Sequence, residues 1–222
     1  MKSRLHNSSP LLERTALFLI ISLGIYLRLY GLENFCFWGD EAFHLNLIPI
    51  LNEGIIKLAK TDAHPPLFIL LSKLAISFLG PDSPLNFRLI PLLTGILMIP
   101  IAYFLGKDIS ESKGVGLFFA YLTATSPFLI EHSQLVRSYG TLLFFLFCLL
   151  FLLNKNFSKG WVYWSFVTCT LLAASTDYSF YILQPGLAFI GFLKIPAKST
   201  FELNKKRTFW ILLNLSCLLG SL

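Results

Sequence analysis

Long apolar runs separated by short polar connections make up most of the chain. The first run extends from Thr15 to Gly31, interrupted only by Arg28, and a last run begins near Thr208 and is still apolar at Leu222. Between them lie the uncharged runs 89–106, 114–130, 138–154, 160–176 and 178–193. Segments of about 16–20 apolar residues suit the bilayer core. The pattern predicts an all-α, polytopic membrane protein with about seven transmembrane helices.

The composition agrees with this prediction. Apolar residues make up 55% of the 222 residues and charged residues only 14%, against about 25% charged in soluble domains. A disordered chain, a coiled coil and a soluble enzyme are therefore excluded. We expect residues 1–222 to form a single domain, and the apolar ending at Leu222 indicates the N-terminal part of a longer chain.

The net charge of +6 is first a signal of topology. Nucleic acid is not an expected partner, because no cluster of Lys and Arg is interleaved with aromatic residues. Segment 65–81 is apolar but carries Lys73 at its centre, and a mid-membrane Lys costs roughly 2.5–3.5 kcal/mol. If 65–81 does not cross and the N-terminus is inside, 12 of the 18 basic residues lie inside.

The same positive-inside rule disfavours the alternatives. If 65–81 crosses and the N-terminus is inside, only 5 of the 18 basic residues lie inside. A third arrangement, with the N-terminus outside and 65–81 crossing, leaves Lys2, Arg4 and Arg14 on the wrong side and stays open. The favoured topology is a multi-pass cell-membrane protein with a cytoplasmic N-terminus.

Residues 32–88 then form one long outer loop with interfacial helices. Ile48, Leu51, Ile55 and Leu58 recur at helical spacing, which predicts an amphipathic helix on the membrane surface. A second surface helix opens at Pro65-Pro66, since Pro suits the first helical turn, and its Lys73 can snorkel to the interface.

The side chains capable of chemistry lie on that outer side. Asp40 and Glu41 follow the first helix and are either a general base or metal ligand, or a solvated pair at a helix start. His44, four residues after Asp40, is a candidate ligand on the same helical face. Arg28 lies in an apolar run, which marks either a functional site or an interfacial snorkel.

Two further segments carry polar groups on the same side. His64, before Pro65-Pro66, could cap a helix or donate to a phosphate. The connection 131–139 holds Glu131, Arg137 and Tyr139, and the planar fork of Arg137 suits phosphate oxygens. No Gly-rich nucleotide loop is present. These groups indicate a lipid-phosphate substrate met at the bilayer surface.

The order of these motifs resembles the C-type membrane glycosyltransferases, and most closely the protein O-mannosyltransferase-like and lipid A aminoarabinose transferase-like group. After the acidic pair, the motifs are His64-Pro65-Pro66-Leu67, Phe87-Arg88-Leu89 with Gly95, Gly106-Lys107, Ser126-Pro127-Phe128, Ser133-Gln134 and Arg137-Ser138-Tyr139. The resemblance covers about residues 15–150.

This resemblance implies an enzyme that transfers a sugar, with inversion, from a polyprenyl-phosphate carrier to an acceptor protein, lipid or glycan on the outer face. Asp40 would be the base and Glu41 its partner. The substrate-binding residues would be Arg28, His64, Arg88, Glu131, Arg137 and Tyr139. The departing lipid phosphate is already a stable anion and needs cationic donors rather than a strong acid, so no metal or cofactor is required. Membrane lipid is an expected partner.

Two other functions stay open. A transporter subunit would carry ionisable residues inside several spans, whereas the five uncharged runs from 89 to 193 contain none. A non-catalytic scaffold of the same fold would have no activity that depends on the carboxylates.

The favoured topology makes a labelling prediction. An impermeant thiol reagent added outside should label native Cys36 and also the variant Asp82→Cys, because both positions lie in the outer loop. Labelling of Asp82→Cys only after permeabilisation would place 65–81 across the membrane. Labelling of Asp82→Cys but not Cys36 would support the arrangement with an outer N-terminus.

Overall fold

The computed structural model describes residues 10–33, 36–62, 64–157 and 159–194, and within these ranges the protein is all-helical, as predicted. The run that begins near Thr208 lies outside the described residues. The helices are α1 (Pro10–Leu29), α2 (Gly39–Ile50), α3 (Ile55–Thr61), α4 (Leu67–Leu79), α5 (Pro84–Ser110), α6 (Lys113–Thr125), α7 (Pro127–Gln134), α8 (Ser138–Leu153), α9 (Gly160–Ala174) and α10 (Phe180–Lys194).

Fewer helices of the described ranges are long and apolar enough to cross a membrane than the sequence predicted. Among these helices only α1 and α5 qualify individually, and α6 with α7 makes a third candidate span if that pair, bent by 53°, counts as one. The expected count of about seven is not reached in the described ranges. Uncharged runs overstate helix length, because α8 and α9 have only 16 and 15 residues, or roughly 24 Å at 1.5 Å per residue.

Helix α5 is the central element, in contact with α1, α4, α6, α7 and α8. Its start is defined by Ser83, whose Oγ accepts the Leu85 N–H at 3.2 Å, and by Pro84 in the first turn. Its end follows Ser110, where Glu111 adopts a left-handed conformation with φ of 55°. With 27 residues between these two signals, α5 is the longest helix in the described ranges.

Residues 32–88 contain α2, α3 and α4, but the segment predicted to form an amphipathic helix is interrupted. Its sequence divides into the end of α2, a short 3-10 turn over Leu51–Glu53, and α3. Gly54 adopts φ of 116° between them, a conformation that a residue with a Cβ rarely takes. Lys73 on α4 donates to Asn52 Oδ1 at 2.5 Å, so its charged end reaches this break in the loop.

A buried arginine joins the helices at the bend between α6 and α7. Pro127 has no N–H, so the carbonyl of Thr123, four residues earlier, loses its helical donor. Arg28, which is fully buried, donates to the carbonyls of Thr123 at 3.0 Å and Ala124 at 3.1 Å. Its Nε donates to Ser133 Oγ at 3.2 Å. A single side chain of α1 therefore supplies donors to the carbonyls at the end of α6 and also binds α7 through Ser133.

Small residues allow the close approach that these hydrogen bonds need. A Cβ added to Gly95 on α5 would stand 2.0 Å from Ser133 Oγ, and one added to Gly140 on α8 would stand 2.3 Å from the carbonyl oxygen of His132. Neither distance is possible between real atoms. Both glycines therefore set how closely α5 and α8 pack against α7.

We predict that Arg28→Met lowers the melting temperature of the purified protein by roughly 5–10 °C, because each orphaned carbonyl costs about 1–3 kcal/mol. Adding Pro127→Ala should recover part of the loss, since residue 127 would then supply an N–H to Thr123. The measurement is thermal unfolding in detergent micelles.

The matched control is Arg14→Met, which removes an exposed arginine from the other end of α1 and should leave the melting temperature nearly unchanged. If the decreases in melting temperature caused by Arg28→Met and Pro127→Ala simply add in the double variant, Arg28 does not substitute for the N–H that Pro127 lacks.

Candidate functional site

Polar side chains from four segments meet at one end of the helical bundle. They come from the start of α2, the α3–α4 connection, the α7–α8 connection and the α9–α10 connection. Five of them form a chain of neighbours: Asp40, His44, His64, Arg137 and Tyr139. The structure thus brings together four of the predicted site residues, and His44 with them.

Glu41 is the buried anchor of this region, with only 1% of its surface exposed. Its Oε1 accepts the Val136 N–H at 2.7 Å, and its Oε2 accepts the Trp38 N–H at 3.0 Å. Arg88 Nη2 lies 3.5 Å from the same Oε2. Both carboxylate oxygens are therefore occupied, and Glu41 ties the start of α2 to the α7–α8 connection and to α5.

Asp40 has the opposite environment, although it is the next residue in the chain. Successive residues on a helix point about 100° apart, so burial of Glu41 turns Asp40 outward, and its side chain is 80% exposed. Its Oδ2 lies 3.7 Å from Arg137 Nη2. That distance is too long for a hydrogen bond, so Asp40 is an accessible carboxylate beside a cation.

Arg137 is held in place by its neighbours. Its Nη2 donates to the Tyr139 hydroxyl at 3.1 Å, and its guanidinium carbon lies 5.2 Å from the centroid of the same ring. Its Nη1 lies 3.2 Å from His44 Nδ1. Its side chain is 15% exposed, so the guanidinium is positioned yet reachable.

His44 is buried between these groups. Burial lowers the pKa of its imidazole below the ordinary value, and the positive charge of Arg137 lowers it further, while Asp62 acts in the opposite direction. The ring Nδ1 lies 3.3 Å from the Asp40 carbonyl oxygen. A neutral imidazole that donates through Nδ1 keeps a lone pair on Nε2.

Asp62 and His64 are in direct contact. Asp62 Oδ1 accepts the backbone N–H of His64 at 3.2 Å and lies 3.0 Å from its ring Nδ1. Asp62 itself is 5% exposed, and its Oδ2 is buried with no hydrogen-bond partner. His44, Asp62 and His64 each offer one potential ligand atom, and these three atoms lie within 4.8 Å of one another.

The remaining predicted site residues lie apart from this cluster of side chains. Arg28 is buried at the α6–α7 bend, where its guanidinium donates to Thr123, Ala124 and Ser133. Arg88, 1% exposed, donates to the Leu32 carbonyl and lies 5.0 Å from the centre of the Phe37 ring. Glu131 is exposed on α7. The two arginines are placed to hold the framework of the site.

Sequence reasoning missed Asp177 and its contact with Ser138. Ser138 Oγ donates to Asp177 Oδ2 at 2.6 Å, and Ser179 donates to Asp177 Oδ1 through its hydroxyl at 2.6 Å and its N–H at 2.9 Å. Burial alone would raise the pKa of Asp177, but these hydrogen bonds outweigh it and hold the pKa below its ordinary value. The sequence signal that could have identified Asp177 is its position as a single acidic residue between the apolar runs 160–176 and 178–193.

The chain matches no protein-family model, no curated protein and no solved structure. The family resemblance therefore stays a prediction that rests on the order of the motifs.

We predict that Glu41→Gln destabilises the protein by about 2–4 kcal/mol, since an amide has one acceptor oxygen where two N–H groups and a guanidinium need acceptors. Thermal unfolding in micelles measures this loss. Glu33→Gln, which changes an exposed acid close to Glu41 in sequence, is the control. Equal melting temperatures for the two variants would contradict the anchoring role of Glu41.

Proposed function

We propose that this chain transfers a sugar, with inversion, from a polyprenyl-phosphate carrier to an acceptor hydroxyl on the outer face of a cell membrane. One observation carries the proposal: exposed Asp40 lies 3.7 Å from a positioned Arg137. The pair is found at one end of a bundle that contains two helices of membrane-crossing length. A carboxylate and a cation are the two groups that this reaction needs at its centre.

Asp40 acts as the general base in this proposal. The acceptor hydroxyl must lose its proton as it attacks the anomeric carbon, and a carboxylate within hydrogen-bond reach accepts that proton. Exposure of Asp40 leaves room for an acceptor to approach from the outer solution. Its place in the first turn of α2 also fixes its backbone, because Glu41 is anchored on three sides.

Arg137 binds the phosphate of the donor. Its guanidinium presents several N–H donors in a plane, which matches phosphate oxygens. Arg137 makes no hydrogen bond to Asp40, so some of its N–H groups can donate to a phosphate. The hydrogen bond to Tyr139 keeps the guanidinium in position. The developing charge on the departing phosphate is then stabilised by a cation that is already in place.

The other predicted residues take supporting roles. Glu41, Arg28 and Arg88 are positioning residues, since each is buried among protein partners. His64, whose side chain is 29% exposed, lies at the edge of the site and is assigned to the donor. Glu131 on α7 keeps its assignment to substrate binding. The cytoplasmic N-terminus and further spans beyond α1, α5 and α6–α7 belong to the same proposal.

We predict that Asp40→Asn lowers sugar transfer by roughly 100-fold or more, because the amide keeps the size of the carboxylate but cannot accept a proton. The full chain is expressed in native membranes that lack the wild-type copy. Transfer from a labelled polyprenyl-phosphate sugar pool to the endogenous acceptors is then measured.

Asp82→Asn is the matched control, because it removes an exposed carboxylate from the same outer loop and should leave transfer unchanged. Asp40→Asn should keep the melting temperature and the donor binding of the wild type. Near-normal transfer by Asp40→Asn would exclude Asp40 as the base and favour a non-catalytic scaffold.

A further inference from the structure

We propose that His44, Asp62 and His64 form a binding site for a divalent transition-metal ion of the zinc type. The three side chains come from α2 and from the α3–α4 connection, and their potential ligand atoms lie within 4.8 Å of one another. This inference does not rest on the proposed function, since it concerns metal binding by the protein itself.

The unpartnered oxygen of Asp62 is the observation that points to a ligand. Asp62 is 5% exposed, and its Oδ2 is buried without a hydrogen-bond partner. A buried carboxylate oxygen left alone is costly, so such atoms normally face a donor, a water or an ion. Its Oδ1 is already engaged by the backbone and ring of His64, which leaves Oδ2 for an ion.

The two imidazoles complete the ligand set. His44 Nδ1 lies 3.3 Å from the Asp40 carbonyl oxygen, and His64 Nδ1 lies 3.0 Å from Asp62 Oδ1. When each Nδ1 carries a proton and donates it, each Nε2 has a free lone pair. Histidines that bind metals commonly donate their second ring N–H to a carbonyl or carboxylate in this way.

Arg137 is the group that acts against a cation here, because its Nη1 lies 3.2 Å from His44 Nδ1. That contact is a hydrogen bond only if His44 Nδ1 is unprotonated, and Nε2 then carries the proton and cannot bind a metal. A metal on Nε2 requires the other tautomer, whose Nδ1–H donates to the Asp40 carbonyl oxygen. Arg137 must then turn its Nη1 away from Nδ1, while its Nη2 keeps the hydrogen bond to Tyr139.

The donor set determines the kind of ion. Two imidazole nitrogens and one carboxylate oxygen suit zinc and similar transition metals rather than magnesium or calcium, which prefer oxygen. Tetrahedral zinc with bonds of about 2.1 Å holds its ligand atoms about 3.4 Å apart. The potential ligand atoms, which lie within 4.8 Å of one another, must therefore approach by up to about 1.4 Å through side-chain rotation. Three protein ligands leave a fourth position for water.

The experiment measures metal binding directly. The full chain is purified in detergent through a tag without histidine, stripped with a chelator and titrated with Co²⁺, whose visible absorption reports nitrogen and oxygen coordination. Zinc retained after dialysis is counted by elemental analysis. We expect about one metal per chain, and we expect Asp62→Asn and His64→Gln to weaken binding at least tenfold.

His132→Gln is the matched control, because it removes a histidine of the α7–α8 region outside the cluster and should bind Co²⁺ like the wild type. Folding of every variant is checked by size exclusion and thermal unfolding. The Co²⁺ titration of the wild-type protein tests the site even if a variant fails to fold. Absence of a Co²⁺ band in the folded wild type, or equal binding by folded Asp62→Asn, would overturn the proposal.

Discussion

A single requirement governs the centre of this molecule: carbonyl groups released from a helix inside an apolar bundle must find donors. Water is scarce there, so an unsatisfied carbonyl is costly. Pro127 creates the problem by withholding its N–H from Thr123, and Arg28 solves it from another helix. The bend between α6 and α7 is thereby stabilised. That bend directs α7 and the following connection toward α2, where Val136 binds Glu41. The candidate site thus depends on an arginine that lies outside it.

The site separates two adjacent carboxylates by environment. Glu41 is enclosed by N–H groups and Arg88, whereas Asp40 faces solution beside Arg137. One acid fixes the geometry and the other is accessible for chemistry. Helical periodicity makes this division automatic once one of the two is buried. The same anchored α2 carries His44 next to Asp62 and His64, so the proposed transfer site and the proposed metal site share a single rigid helix.

Helical class and the presence of helices within residues 32–88 were predictable, because both follow from apolar runs and from their periodicity. The interruption at Gly54 and the short lengths of α8 and α9 were not, since absence of charge does not specify where a helix ends. The sequence also identified Arg28 as unusual but not its partners, which lie 95 to 105 residues away. Nor could it tell which of Asp40 and Glu41 is buried, because residue type is nearly the same and only tertiary packing distinguishes them.

The long sequence separation of Arg28 from its partners has a consequence for biosynthesis. At about 5–20 residues per second, roughly 5–20 s pass between synthesis of Arg28 and synthesis of Thr123. Throughout that interval α1 carries a charged group without the carbonyls that later enclose it. A lone arginine in an apolar helix inserts poorly, so the nascent α1 is expected to stay near the translocon or the headgroup region until α6 arrives. Insertion of the first helix is then completed by the sixth.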